Sequence, residues 1–286
     1  KQMTPSRGNT DADRGYIIPI GGAVSKRKEP TILEKFVKLC GGDRAIITVI
    51  PTATKLEDNG EIFTSLFTEM GASDVFSIDI KKRSDCSRED YLSNLRKSTG
   101  VFISGGNQLR LSTILGGTPV AKVIRKLNAD GVHVAGTSAG AAIMPEHMIS
   151  GGRSGSTPTP RSVSLSPGLG LTNSIVIDQH FRQRNRLGRL LAAIAYSPFL
   201  TGVGIDENTA IFIDHDNTFS VEGSGAVTVV DPSKMNATSV SSAARNDAIN
   251  ITDIRLHILA SGSKYNLNTH TATVFDSDLV TQTFNK

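Results

Sequence analysis

The chain has 286 residues, 38% of them hydrophobic, which is enough for one large domain or two small ones. Lys plus Arg number 31 against 27 Asp plus Glu, a net charge of +4 without long basic runs, so a nucleic-acid-binding surface is not indicated, and no apolar run is long enough to cross a membrane. Cys40 and Cys86 have no CxxC spacing and no His/Cys cluster around them, so neither a metal nor any other cofactor is expected, and a reducing, cytoplasmic setting is favoured.

Residues 1–14 are polar, hold no signal-peptide core and are expected to form a flexible N-terminus; the chain starts at Lys1 rather than Met, which leaves room for a trimmed leader. Residues 16–20 read as a short strand ending at Gly21-Gly22. A helix is predicted over 31–40, with Ile32, Leu33, Phe36, Val37 and Leu39 on its buried face and Gly41-Gly42 as its stop. Residues 45–50 are a continuous apolar run, the pattern of a strand covered on both faces. A helix over 58–70, a strand over 75–80, a charged loop over 81–88 and a helix through Leu92 and Leu95 follow. A strand over 100–104 leads into Gly105-Gly106-Asn107-Gln108, then a helical stretch through Leu109, Leu111, Ile114 and Leu115 and a further helix from Pro119 to Asn128. Residues 131–135 form the next strand.

From 150 to 172 the periodicity fails amid Gly and Pro, which reads as a lid or substrate loop. A strand over 174–177, a helix over 184–196 and strands over 203–205, 210–213 and 226–230 complete one α/β catalytic domain of residues 15–230. Residues 231–286, Ser/Ala/Asn-rich at first and with strands near 251–259 and 271–275, read as a small C-terminal β extension packed on that domain.

The most informative feature is Gly-Thr-Ser-Ala-Gly at 136–140, between a predicted strand and a predicted helix. That is the arrangement of a nucleophile elbow, where small residues let the turn close and lift the hydroxyl clear of the sheet. Such pentapeptides also occur by chance, and a Ser at a strand-to-helix turn is often only an N-cap. A hydroxyl needs a base, usually a His oriented by a carboxylate. Among six His, His180 stands apart because it follows the carboxyl end of a strand, the edge that lines the ligand crevice of an open α/β sheet. Asp206 and Glu207 lie at another strand end; alternation turns only one of them toward the site and does not say which. Arg184, Arg186 and Arg189 read either as a solvated helix face or as an anion clamp beside the base. The amides of Ala139 and Gly106 are the candidate oxyanion donors; a phosphate loop at Gly105-Gly106 is disfavoured because no Lys-Ser/Thr follows.

These motifs, taken together with Asp178-Gln179-His180-Phe181 and Gly204-Ile205-Asp206-Glu207-Asn208, resemble the cyanophycinase family in order and spacing over residues 15–230. The resemblance implies a serine peptidase related to the aspartyl dipeptidases, on a class I glutamine amidotransferase-like fold: a three-layer α/β sandwich with a mostly parallel central sheet. It implies Ser138 as nucleophile, His180 as base and Glu207 as orienting acid, with Gln108, Asp178, Gln179, Arg184, Arg186, Arg189 and Asn208 at substrate-binding positions. Asn107 departs from the family's Gly-Gly-Asp-Gln turn. The implied reaction is exopeptidase release of β-Asp-Arg dipeptides from cyanophycin, multi-L-arginyl-poly-L-aspartate, by a homodimer. An α-aspartyl dipeptidase with the same triad and a non-catalytic granule- or metabolite-binding protein are the rival readings. Glutamine amidotransfer is disfavoured, since that relative needs Cys where this chain has Ser138.

Overall fold

The computed structural model describes residues 4–8, 13–55 and 58–274. In chain order the elements are β1 (Ile17–Ile20), α1 (Thr31–Leu39), β2 (Ile46–Ile50), α2 (Asn59–Glu69), β3 (Asp74–Ser77), α3 (Glu89–Lys97), β4 (Gly100–Ile103), α4 (Gln108–Leu115), α5 (Pro119–Ala129), β5 (His133–Thr137) and α6 (Ala139–Ala142). They continue as β6 (His147–Gly152), β7 (Val163–Pro167), β8 (Ile175–Gln179), α7 (Leu187–Tyr196), β9 (Thr201–Ile205), β10 (Thr209–Ile213), β11 (Thr218–Gly223), β12 (Ala226–Asp231), β13 (Arg255–Ala260), β14 (Lys264–Asn266) and β15 (Thr271–Thr273).

Nine strands form the central sheet in the order β15-β14-β11-β10-β1-β5-β4-β2-β3. The half from β1 to β3 is parallel, and β10, β11, β14 and β15 extend it as an antiparallel ribbon. Alternate residues of the parallel strands feed two cores, which is why these strands read as unbroken apolar runs. Ile18, Ile20, Ile47, Val49 and Phe102 pack with α1 and α2; Ile17, Ile50, Val101, Ile103 and Val134 pack with α3, α4, α5 and α6. Phe36, Phe63, Phe67 and Phe102 meet in the first core with ring centroids 4.6 to 6.1 Å apart.

A second sheet, β13-β12-β9-β8, stacks on the second of these cores through Val203, Ile205, Val227, Val229 and Leu259. Its other face is covered by α7, where Leu190, Ala193 and Ile194 meet Val176 and Val230. The sandwich is therefore as expected around the parallel strands, but the strands near 175, 203 and 226 belong to a separate sheet. The segment expected as a lid is ordered: β6 and β7 pair as an antiparallel hairpin, with a register shift between Ile149 and Gly151 that breaks the alternation. The helix expected from residue 184 begins at Leu187, because Asn185 takes a left-handed φ of 47° that ends any helical run. The strand expected over 75–80 is shorter, Asp74–Ser77.

The C-terminal segment is woven into both sheets: β13 pairs with β12, and β14 with β11. Residues 275–286 lie outside the described residues, as do 1–3 and 9–12 of the N-terminus. Within that N-terminus Arg14 is held by Asn128 Oδ1 at 3.2 Å and by the Ser6 carbonyl at 2.5 Å. Because Phe102 contacts three other rings and is fully buried, Phe102→Ala is expected to lower the unfolding free energy by about 3–5 kcal/mol, read by urea denaturation.

Candidate active site

Ser138 joins β5 to α6 at φ 55°, ψ −114°, a conformation that a side chain adopts at a cost of about 1–3 kcal/mol. The surroundings hold it there. Its N–H donates to the Ile20 carbonyl at 2.9 Å, tying the turn to the end of β1, and its carbonyl accepts from Ala141 and Ala142. A Cβ on Gly140 would overlap the Ile103 carbonyl, so β4 and the turn can approach only with glycine at that point. The Gly105-Gly106 turn lies directly alongside: a Cβ on Gly105 would stand 3.2 Å from the Ser138 Cβ and 3.8 Å from its Oγ. Ala139 occupies the first helical position of α6, where an amide has no intrahelical acceptor.

The second sheet supplies His180 and Glu207, the base and acid expected from the sequence. Parallel neighbours β8 and β9 end in register, Gln179 opposite Ile205, so His180 and Glu207 emerge side by side. His180 Nε2 lies 3.0 Å from Ser138 Oγ, and His180 Nδ1 lies 2.6 Å from Glu207 Oε1. Ser138 Oγ is also within 3.2 Å of Gln179 Oε1. The His180 side chain is 12% exposed and that of Glu207 36%, so the acid facing the imidazole sits at the rim. Its neighbour Asp206 is the buried one; it accepts from the amides of Arg182 and Ala226 and pairs with the Arg182 guanidinium at 3.3 Å.

Sequence reasoning missed the residue that seats the imidazole. Gly22, at φ 105°, packs so closely against the His180 ring that a Cβ there would overlap it. The Gly21 carbonyl accepts from His180 N at 2.6 Å, and the Gly22 carbonyl accepts from Asn208 N at 2.8 Å. A Gly-Gly pair ending the first strand was the available signal. Gln183 was also missed: its Oε1 accepts from the Glu207 amide at 3.1 Å.

The expected anion clamp is differently deployed. Arg189 binds Asp178 through a bidentate fork, Nε to Oδ2 at 2.6 Å and Nη2 to Oδ1 at 2.5 Å. Arg186 donates to Asp178 Oδ1 at 3.3 Å and to the Gln179 carbonyl at 2.6 Å. All three side chains are less than a tenth exposed, so this is neither a solvated face nor an open clamp but an internal ion cluster behind the site. Burial lowers the Arg186 pKa to about 10, and Asp178 opposes that shift. Arg184 remains exposed. Gln108 opens α4, and its Nε2 donates to the Ile149 carbonyl at 3.4 Å. Asn208, at φ 46°, accepts from the Ser25 amide at 2.9 Å and donates to Ser224 Oγ at 3.2 Å. Asn107 caps α4 by accepting from the Arg110 amide at 3.0 Å, a duty that Asp performs equally well.

Of the other His residues, His133 Nδ1 accepts from the Tyr16 amide at 3.0 Å, His147 packs edge-on against Phe199, His215 lies between β10 and β11, and His257 and His270 lie in the C-terminal segment. Among the described residues no group of three His, Cys, Asp or Glu could hold a metal, and no helix is long and apolar enough to cross a membrane.

The model of peptidase family S51 matches residues 17–221. Cyanophycinase of Trichormus variabilis is 40% identical over 258 residues, which is 90% of this chain and 87% of that protein. Cyanophycinase of Geminocystis herdmanii is 40% identical over 259 residues, 90% of this chain and 95% of that one. The solved structure of a peptidase from an acI-B1 Actinobacterium superposes with a TM-score of 0.64 over 92% of this chain and 98% of that one; at 19% identity the likeness is one of fold.

The His180 pKa is lowered, first by burial; the Glu207 hydrogen bond opposes this, while the charges of Arg184 and Arg186 add to it. In an NMR titration the His180 ring is therefore expected to protonate below 6.5, the ordinary imidazole value. Glu207→Gln removes a group that stabilises the imidazolium and should shift the midpoint further down; Arg184→Gln should shift it up.

Proposed function

The chain belongs to peptidase family S51, the serine-type peptidases just described, and from that premise we propose that it is an exopeptidase releasing β-Asp-Arg dipeptides from cyanophycin. The observation that carries the reading is the unbroken chain from Glu207 through His180 to Ser138, at 2.6 and 3.0 Å, on a strained elbow in a sequence 40% identical to cyanophycinases.

His180 takes the Ser138 proton as Oγ attacks the carbonyl between two aspartyl residues. The C–O bond forms, and the carbonyl electron pair moves onto the oxygen, which faces the Ala139 and Gly106 amides. As the pair returns, the C–N bond breaks, and His180 delivers its proton to the departing amine. Water, deprotonated by His180, then opens the acyl-enzyme, and Ser138 regains its proton. Glu207 holds Nδ1 protonated, so that Nε2 is the lone-pair nitrogen, and stabilises the imidazolium formed in each step. Arg184 is an exposed cation near the base and meets the substrate's carboxylate, with Gln108 as a further contact; Gln179 is buried, with its Oε1 3.2 Å from Ser138 Oγ. Asp178, Arg186 and Arg189 hold the strand end that carries Gln179 and His180, and Asn208 holds the loop beyond Glu207. The buried, free thiols of Cys40 and Cys86 fit a cytoplasmic enzyme, and a homodimer is the assembly to test by light scattering.

Mass spectrometry of cyanophycin digests tests the reaction: β-Asp-Arg is expected, whereas cleavage of Asp-x dipeptides with the polymer left intact would replace the reading by an α-aspartyl dipeptidase. Ser138→Ala is expected to lower turnover by about four to six orders of magnitude. Gly22→Ala, which forces the imidazole off its line to Ser138, should lower kcat about 100-fold with the fold retained by circular dichroism.

A further inference from the structure

On the same sheet edge as the elbow, but beyond β4 at the carboxyl ends of β2 and β3, a cleft of about 440 Å³ is lined by Thr52, Lys55, Glu61, Asp79, Lys81 and Arg110, among others. The carboxyl edge of a parallel sheet is where open α/β folds bind ligands. The cleft is joined to the site through a single turn. Gly105 of that turn lies against Ser138, while on the other side Gly106 packs on the Ala53 carbonyl and Asn107 N donates to it at 2.9 Å. Arg110 Nε donates to the Thr52 carbonyl at 2.9 Å, which fixes the guanidinium at the cleft wall.

The lining carries both signs of charge: Glu61 and Asp79 against Lys55, Lys81 and Arg110. The Asp79–Lys81 pair, 3.1 Å apart, leaves both side chains more than half exposed, so water screens it and a ligand can exchange into it at little cost. Thr52 is 2% exposed, and its Oγ1 has no hydrogen-bond partner among the described residues. A phosphate site would gather cations alone, and an apolar side chain would want an uncharged wall. A zwitterionic ligand matches this lining.

On the reading of the substrate given above, we propose that this cleft binds a further β-Asp-Arg unit of the polymer, beyond the two that flank the scissile bond. Each branch of cyanophycin ends in a guanidinium and the free carboxylate of the same arginine. The guanidinium meets Glu61 and Asp79, and the carboxylate meets Arg110 and Lys55. The subsite makes the enzyme prefer oligomers longer than two units, a preference that a dipeptidase has no use for.

The test compares steady-state cleavage of a two-unit and a four-unit β-Asp-Arg oligomer. Wild-type enzyme is expected to show the lower KM on the four-unit substrate. Glu61→Gln with Asp79→Asn should raise that KM about tenfold while kcat/KM on the two-unit substrate stays unchanged, which also serves as the control for folding. Glu61→Lys should widen the effect through repulsion of the guanidinium. Equal KM values for the two lengths in wild type, or a length preference untouched by both variants, overturns the subsite. Wild-type enzyme inert on both oligomers overturns the substrate reading, and the subsite with it.

Discussion

The site depends on strand ends of two stacked sheets meeting at Gly21-Gly22. Ser138 belongs to the central sheet and His180 and Glu207 follow strands of the second one, so no single sheet's register can align them. The alignment comes from short backbone bonds: the Gly21 carbonyl receives the His180 amide, the Gly22 carbonyl receives the Asn208 amide, and the Gly21 amide donates to Thr209. Ser138 is tied to the same strand end through Ile20. Ser138, His180 and, through its neighbour Asn208, Glu207 therefore hang from one stretch, residues 20–22. The absence of a side chain at Gly22 is what lets the imidazole pack against it.

The second support is electrostatic and lies behind the site. Asp178 is fully buried, and so large a desolvation cost is offset only by close, well-oriented partners. Arg189 supplies two bonds to it, and Arg186 bridges it to the Gln179 carbonyl. The result is a rigid cross-brace from α7 to the last residues of β8. Removing one guanidinium from that brace would leave a buried carboxylate short of countercharge, with His180 only two residues away along the chain.

Much of this was legible in the sequence. The elbow was readable because its closure demands small residue types, and the parallel strands because burial on both faces leaves unbroken apolar runs. Strand ends singled out His180 and the Asp206-Glu207 pair, but the choice of Glu207 came from the family resemblance and not from the pattern. What was not readable is tertiary in origin. An apolar run does not say which sheet it joins, so β8, β9 and β12 could not be separated from the central sheet. The β6–β7 hairpin carries a register shift and many Gly and Pro residues, which erase the period that sequence reading relies on. For Arg186 and Arg189, whether they face water or Asp178 depends on how α7 packs against β8, which their spacing does not encode. Gly22 was visible only as a strand terminator, since its partner lies far along the chain.

The adjacent acids Asp206 and Glu207 show how a strand end sorts charges into different duties. Asp206 turns inward, and backbone amides with the Arg182 guanidinium engage both of its oxygens. Glu207 turns toward the rim, accepts from His180 and keeps a third of its surface in water. Burial and the nearby arginines favour the neutral imidazole at rest, the form able to accept a proton. In the proposed reaction the imidazole becomes charged, and among the described residues Glu207 is the anion in hydrogen-bonding contact with it. A resting base kept neutral by burial and cations, yet backed by one well-placed carboxylate, can both take a proton from an alcohol and hold it long enough to give it to an amine.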